Sequence, residues 1–313
     1  MKNYVFVALT LLLAVACGNS YEEQQRVSRV EQRRLAREDS AALKVAVMPT
    51  LDCLPLYVAR EYDLFGALGA DVRLKGYTAR MDCDTALARG RVEAAVTDLV
   101  RGQRLVSLGT PLKYISATNA YWQLITNRNA RIKELKHLND KMLAMARYSA
   151  TDMLAEYAVD SARLVPEMVF RIQVNDVDVR LKMLQNNEMD ALLLTEPQAT
   201  VARMQKHPVL MDSRKLGLRL GVVALRGDIA ADSSRQKQIE VLTKAYNMAC
   251  DSINKYGVKH YLDLIARCCG VPKDVAAALP KDLKFDHVAA PRREDIERAE
   301  QWLTKKVKND GTE

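Results

Sequence analysis

Residues able to act as nucleophiles or metal ligands are few in this chain, and their spacing suits neither role. Of six cysteines, Cys17 stands apart near the N-terminus. Cys53, Cys83, Cys250, Cys268 and Cys269 follow without a Cys-x-x-Cys pair. The histidines, His137, His207, His260 and His287, are dispersed, and none falls at the end of an expected strand. There is no Gly-x-Ser-x-Gly elbow, no His-Glu-x-x-His and no Walker-type glycine loop. Cys53 and Cys83 lack a clear activating neighbour that would make either a thiolate. The chain is therefore read as a non-enzyme with no metal and no cofactor. Binding is the chemistry that remains, and its first candidate is the loop Pro-Thr-Leu-Asp-Cys-Leu-Pro at 49–55.

That loop takes its meaning from its flanks. Residues 44–48 are a short valine-rich apolar run, as in a buried strand, which Pro49 ends because it has no N–H for the ladder. Leu56, Ala59, Tyr62 and Leu64 then recur at near-helical spacing, with Asp52 able to cap that helix and Pro55 suited to its first turn. Ligands of open α/β sheets lie at the carboxyl ends of strands, so 49–55 is expected to be a ligand loop.

The same alternation continues downstream. Strands are expected at 70–77, 94–96 and 111–117, with a polar loop at 78–84 and helices at 86–92 and 100–108. After an extended run at 121–126 the pattern restarts, with strands at 142–145, 170–174 and 191–194 and helices at 153–164 and 179–185. Another extended run, 218–225, is placed to return the chain to its first half. The remainder is helical and serves packing, with Leu242, Ala245, Tyr246, Ala249 and Ile253 on one face and Trp302 anchoring the last helix. Parallel βαβ units in two lobes follow. Residues 87–98 and 184–196 also resemble each other: in each, a polar turn leads to an acid-Ala pair, an apolar strand and a closing Thr plus acid.

Bulk properties narrow the partners. The chain has 313 residues, 49% hydrophobic and 27% charged, with a formal net charge of +8. Bases and acids are interleaved, which describes a solvated surface, and no nucleic-acid partner is expected. Lys2 precedes an uncharged, largely apolar stretch at 5–16, too short to span a bilayer comfortably and suited to a signal peptide core. Ala14, Val15 and Ala16 lead into Cys17-Gly18-Asn19-Ser20, which resembles a bacterial lipoprotein signal. That resemblance implies a signal peptide at 1–16 and lipidation of Cys17, with fatty acyl chains such as palmitate holding the protein on a membrane. An ordinary cleaved signal is the alternative. Residues 17–41 are read as a charged tether, or else as a surface helix on the folded body. Disulfides, Cys53 with Cys83 or Cys250 with Cys268 or Cys269, stand beside buried free thiols as open alternatives.

The order of these pieces is similar to a known group: solute-binding proteins of nitrate, sulfonate, taurine and thiamine-precursor ABC transporters. The matching residues are Val45-Ala-Val-Met-Pro-Thr, Pro55-Leu-Tyr-Val-Ala-Arg, Leu64-Phe-Gly66 and the helix-turn-strand from Ala86 to Val96. Leu135-Lys-His-Leu-Asn-Asp-Lys141 and Asp190-Ala-Leu-Leu-Leu-Thr-Glu196-Pro197 complete the set. The resemblance implies an α/β, two-lobe type 2 periplasmic-binding-protein fold, with lobe one from 42–119 and 218–313 and lobe two from 120–217. Two segments would cross between the lobes. A small-molecule ligand would lie between the lobes, with an ABC permease as partner and a monomeric, exported, membrane-anchored protein on the periplasmic face or cell surface. Carried over by position, the ligand site draws on Thr50, Asp52, Cys53, Thr78, Arg80, Asp82, Thr97 and Asp98. From the other side come Tyr121, Arg147, Tyr148, Ser149, Thr151, Asn175 and Glu196. The acids Asp52, Asp82, Asp84, Asp98 and Glu196, opposed by Arg80 and Arg147, lean the expected ligand toward a cationic or zwitterionic organic solute. On that reading Glu196→Gln weakens binding roughly tenfold or more. An enzyme on the same fold, a lyase or a cofactor-precursor synthase, and a permease-independent sensor are the alternatives.

Overall fold

The protein, described here from a computed structural model, is defined over residues 21–311; the expected signal segment and Cys17 lie outside the described residues. It divides into two units, residues 1–42 and 43–313. In the first unit, Tyr21–Ala41 is one continuous helix of 21 residues, where only partial helicity was expected. The segment contains no glycine or proline and is rich in Glu, Gln and Arg, all good helix formers. Glu31 and Arg34 pair at 2.6 Å on its exposed surface.

The second unit is built on two five-stranded sheets. The first contains β1 (Leu43–Val47), β2 (Val72–Gly76), β3 (Ala94–Asp98), β4 (Leu112–Ala117) and β10 (Gly221–Arg226), in the order β2-β1-β3-β10-β4. Strands β1, β2 and β3 are parallel, while β10 runs antiparallel to both β3 and β4. Every residue of β1 and β3 is buried, which is why both read as apolar runs rather than alternating ones. The second sheet repeats the plan with β5 (Gln123–Thr126), β6 (Lys141–Met145), β7 (Val169–Gln173), β8 (Ala191–Leu194) and β9 (Val209–Asp212). Its order is β7-β6-β8-β5-β9, with β5 the antiparallel strand.

Strands β3 and β8 hold the same place in the two sheets, so the short internal sequence similarity is an equivalence of position. The chain passes between the sheets twice, through 118–122 and 213–220. Helix Gln236–Tyr256 packs on helix Leu54–Glu61 in the core of the first sheet, burying Leu242, Ala245, Tyr246, Ala249 and Ile253 as its spacing predicts. The last helix, Arg293–Asp310, packs along helix Leu99–Ser107 and reaches helix Ala150–Ser161. Trp302 is partly buried against the core cluster that joins these elements.

Several local expectations change. Helix Arg80–Ala88 starts six residues before the expected 86–92, so Arg80 and Asp82 stand on its first turn rather than in a loop. Helix Ala150–Ser161 starts three residues before the expected 153, because Ser149 accepts a hydrogen bond from Thr151 N–H and caps it. Helix Gln198–Met204 and strand β9 were not anticipated; both are short, and β9 is an edge strand. Cys53, Cys83, Cys250 and Cys269 are buried free thiols, and Cys268 is a half-buried one. Among the described residues no helix is long and apolar enough to cross a membrane.

Candidate functional site

The carboxyl ends of the central strands of the two sheets face each other, and the loops leaving them meet in a seam. Leu51 N–H, after β1, donates to the Glu196 carbonyl after β8 at 2.8 Å. Gln198 Nε2 donates to the Pro49 carbonyl at 3.0 Å. Ala79 and Asp176 form an antiparallel bridge, and Ala150 N–H donates to Asp98 Oδ1 at 3.0 Å. These contacts hold the cleft closed around a cavity of about 10 Å³, room for roughly one water. A ligand larger than that requires the seam to part.

Among the residues bounding this cavity are Thr50, Arg80, Asp98, Ser149, Thr151 and Asn175, all expected from sequence. Its lining also includes Trp122 and Arg180, which were not. Arg80 is 8% exposed, and neither Nη1 nor Nη2 has a hydrogen-bond partner. The nearest carboxylate oxygen is Asp52 Oδ2 at 3.6 Å, and the Trp122 ring lies 5.9 Å below the guanidinium. Burial works to discharge Arg80, but Asp52 and Asp98 outweigh it and raise its pKa. Arg180, 6% exposed on helix Val177–Gln185, donates Nη1 to the Leu193 carbonyl at 2.8 Å, while its Nε has no partner. Burial, then the charges of Arg80 and Arg101, push it down to about 9, so it is still a cation at neutral pH.

Two acids near the cleft, Asp84 and Asp98, are already engaged, whereas neither oxygen of Asp52 has a hydrogen-bond partner. Asp84 takes Arg101 in an ion pair and the Thr97 hydroxyl at 3.3 Å. Asp98 caps helix Leu99–Ser107 through Arg101 N–H at 3.1 Å, and the same oxygen accepts from Ala150 across the cleft. Burial raises its pKa, and Arg101 and Arg80 oppose that rise. On the far wall, Ser149 Oγ donates to the Ala146 carbonyl at 2.7 Å, which aims the start of helix Ala150–Ser161 at the cavity. Tyr148 adopts a left-handed backbone (φ 51°), a conformation costly for a bulky side chain; its N–H donates to Asp152 Oδ2 at 2.9 Å.

The other expected residues lie elsewhere. Asp52 is buried behind Arg80. Cys53 Sγ accepts from Met48 N–H at 3.4 Å, and burial pushes its pKa well up, so it is a thiol rather than a nucleophile. Thr78 and Asp82 are exposed, and buried Thr97 faces Asp84. Tyr121 donates its hydroxyl to Glu196 Oε1 at 2.6 Å. Glu196 also accepts from Thr200 and Arg203, so both its oxygens are occupied outside the cavity. Arg147 and the Tyr148 hydroxyl bind Asp310 at 2.8 and 2.7 Å. Among the described residues no group of three or more His, Cys, Asp or Glu is placed to hold a metal ion. Arg180 carried no readable signal: it lies four residues into a helix, away from any loop.

What this arrangement can do follows from its unmet donors. Each buried polar group without a partner costs about 1–3 kcal/mol, and an oxyanion would satisfy several at once.

Comparison with known proteins places this geometry. Residues 50–261 match the family model described as NMT1/THI5 like. No curated protein matches the chain. Among solved structures, the periplasmic aliphatic sulphonate binding protein SsuA from Escherichia coli aligns with a TM-score of 0.72 at 17% identity. The alignment covers 86% of this chain and 92% of that one. SsuA from Xanthomonas axonopodis pv. citri, solved bound to MOPS, aligns with a TM-score of 0.70 at 14% identity, covering 85% and 91%. The periplasmic nitrate-binding protein NrtA from Synechocystis PCC 6803 gives 0.68 at 14% identity, covering 84% and 80%. At such identities the likeness establishes the fold, the two-lobe periplasmic-binding-protein architecture. The family pattern runs from the loop after β1 through helix Gln236–Tyr256, over more than half of the chain, and the protein belongs to the NMT1/THI5-like family.

Proposed function

We propose that this chain is the extracytoplasmic solute-binding component of an ABC importer, and that its solute carries an oxyanion gripped between the lobes. The observation that carries this reading is the pair of buried guanidiniums, Arg80 and Arg180, whose unpartnered donors border the cavity opposite a capped helix N-terminus. Of the acids that lean the sequence reading toward a cation, Asp84 is paired with Arg101 and Asp98 accepts from two backbone N–H groups, while Asp52 stands 3.6 Å from Arg80 without a hydrogen bond and leaves the Arg80 donors open. An anion or a zwitterion led by its anionic end suits what is left. The structural neighbours named for sulfonate and nitrate support the same class.

In this reading ligand binding replaces the direct seam contacts, and the closed form is what a permease would meet. Lipidation of Cys17 would keep a monomer near that permease, with residues 18–41 as the spacer. Catalysis gains no support from the cleft, where burial keeps the thiols of Cys53 and Cys83 protonated.

Thermal unfolding of the purified protein against sulfonates, nitrate, carboxylates, aminopyrimidines and amines tests the reading. A ligand at 100 times its dissociation constant stabilises the fold by about 2.7 kcal/mol. The expected result is a shift with oxyanions or zwitterions. A shift with simple amines alone would overturn it.

A further inference from the structure

A second cavity of about 450 Å³ lies between residues of the two lobes, and its lining is richer in arginine than that of the first. Arg89, Arg101 and Arg104 line it from the first lobe, and Arg147 and Tyr148 from the second. Asp84 is its one lining carboxylate, and Arg101 already holds it. Arg147 is neutralised from outside by Asp310. Arg89 and Arg104 have no ion-pair partner among the described residues, leaving uncompensated positive charge on the wall of a concave space. Arg104 lies over the Tyr148 ring, 3.6 Å from guanidinium carbon to centroid. Stacking uses the face of a guanidinium and leaves its in-plane N–H groups directed outward, the geometry that receives an oxyanion. That stack also joins a residue of one lobe to a residue of the other.

The two cavities share a partition. Asp98 borders the inner one, Arg101 borders the outer one, and Arg101 Nε lies 3.9 Å from Asp98 Oδ2. A ligand lying along this partition would place one end by Arg80 and Arg180 and the other by Arg89 and Arg104. We propose that the solute is a two-headed anion, a small organic molecule with anionic groups at both ends, its second group seated on Arg89 and Arg104. This rests on the oxyanion reading of the inner cavity. Because the second cavity is walled by both lobes, the second anion also rewards closure.

The test is calorimetric titration of the full chain with α,ω-alkanedisulfonates against the alkanemonosulfonates of matching length. The inference expects one chain length at which the disulfonate binds at least about tenfold more tightly, with the advantage shrinking as salt rises. In Arg89→Gln/Arg104→Gln, whose side chains carry no ion pair among the described residues, the ratio of the two affinities should fall toward one. Equal affinities at every length, or a ratio that the double variant leaves intact, would overturn the second seat alone. Failure of both series to bind would overturn the oxyanion reading together with it.

Discussion

Replacing Arg80 by glutamine separates the stabilising and binding roles of one side chain. Asp52 is 3% exposed, neither of its oxygens has a hydrogen-bond partner, and Arg80 is its ion-pair partner at 3.6 Å. Stranding a buried carboxylate in this way costs about 3–5 kcal/mol. At an unfolding entropy near 0.57 kcal/mol/K for roughly 270 residues, that cost lowers the melting temperature by about 5–9 °C. The same substitution removes charged donors from the ligand, at about 1.5–3 kcal/mol, or roughly 10- to 150-fold in dissociation constant. Asp52→Asn/Arg80→Gln removes the stranded charge, so it should recover most of the melting temperature while binding stays weak. Scanning calorimetry and titration with an oxyanion that stabilises the wild type measure the two effects side by side. A single variant melting within about 1 °C of wild type, or a double variant with wild-type affinity, would refute the reasoning.

Four further outcomes follow from particular contacts. Arg180→Met keeps side-chain length but discards a buried cation that donates Nη1 to the Leu193 carbonyl and leaves Nε without a partner; the melting temperature should hold or rise while oxyanion affinity drops about tenfold or more. Glu196→Gln should lower the melting temperature and change affinity by less than about threefold, since its oxygens serve Tyr121, Thr200 and Arg203 rather than the cavity; a selective loss of affinity would restore Glu196 to the ligand site. Burial pulls the Asp310 pKa up, but hydrogen bonds from Lys306, Tyr148 and Arg147 outweigh it and hold the group at about 2. Its contribution is therefore full above the unfolded carboxylate value of about 4 and lost as pH falls through the folded one. Asp310→Asn should lower the melting temperature at neutral pH, and the difference from wild type should close on acidification. Gly221→Ala places a methyl group against Thr118 Oγ1 and Ala120 Cβ in the first crossing segment, and denaturant unfolding should show a loss of about 1–3 kcal/mol.

The architecture was legible because its signals are local and repeated. Buried parallel strands such as β1 and β3 must be apolar along their length, and the turns that follow them must be polar, so each βα unit marks itself. Helix starts were less readable. Arg80 and Asp82 look like loop residues by composition, yet an extended Ala79 allows a helix to begin at once. The site was half legible for a related reason. Position after a strand pointed to Thr50, Arg80, Asp98 and Ser149, which the fold gathers around the inner cavity, but not to which charges cancel. Whether Asp84 is available to a ligand depends on Arg101, seventeen residues away on another helix. Arg180 and Trp122 reach the cavity from a helix interior and a crossing segment, where no spacing rule points inward.

The interleaving of β10 with the first sheet has a consequence for the order in which the molecule can assemble. β10 lies between β3 and β4, yet Gly221 follows Asp98 by 123 positions, with the whole of β5–β9 intervening. The second sheet draws all its strands from one contiguous stretch, 123–212. As the chain emerges N-terminus first, that sheet has its full complement while the first still lacks its fourth strand, and β4 has no neighbour to pair with. The earlier-synthesised half is thus the later to close, held open by a long loop-closure requirement. Until β10 inserts beside β3, the sheet that carries Asp98 is incomplete, so the candidate site is assembled only after the second sheet has all its strands.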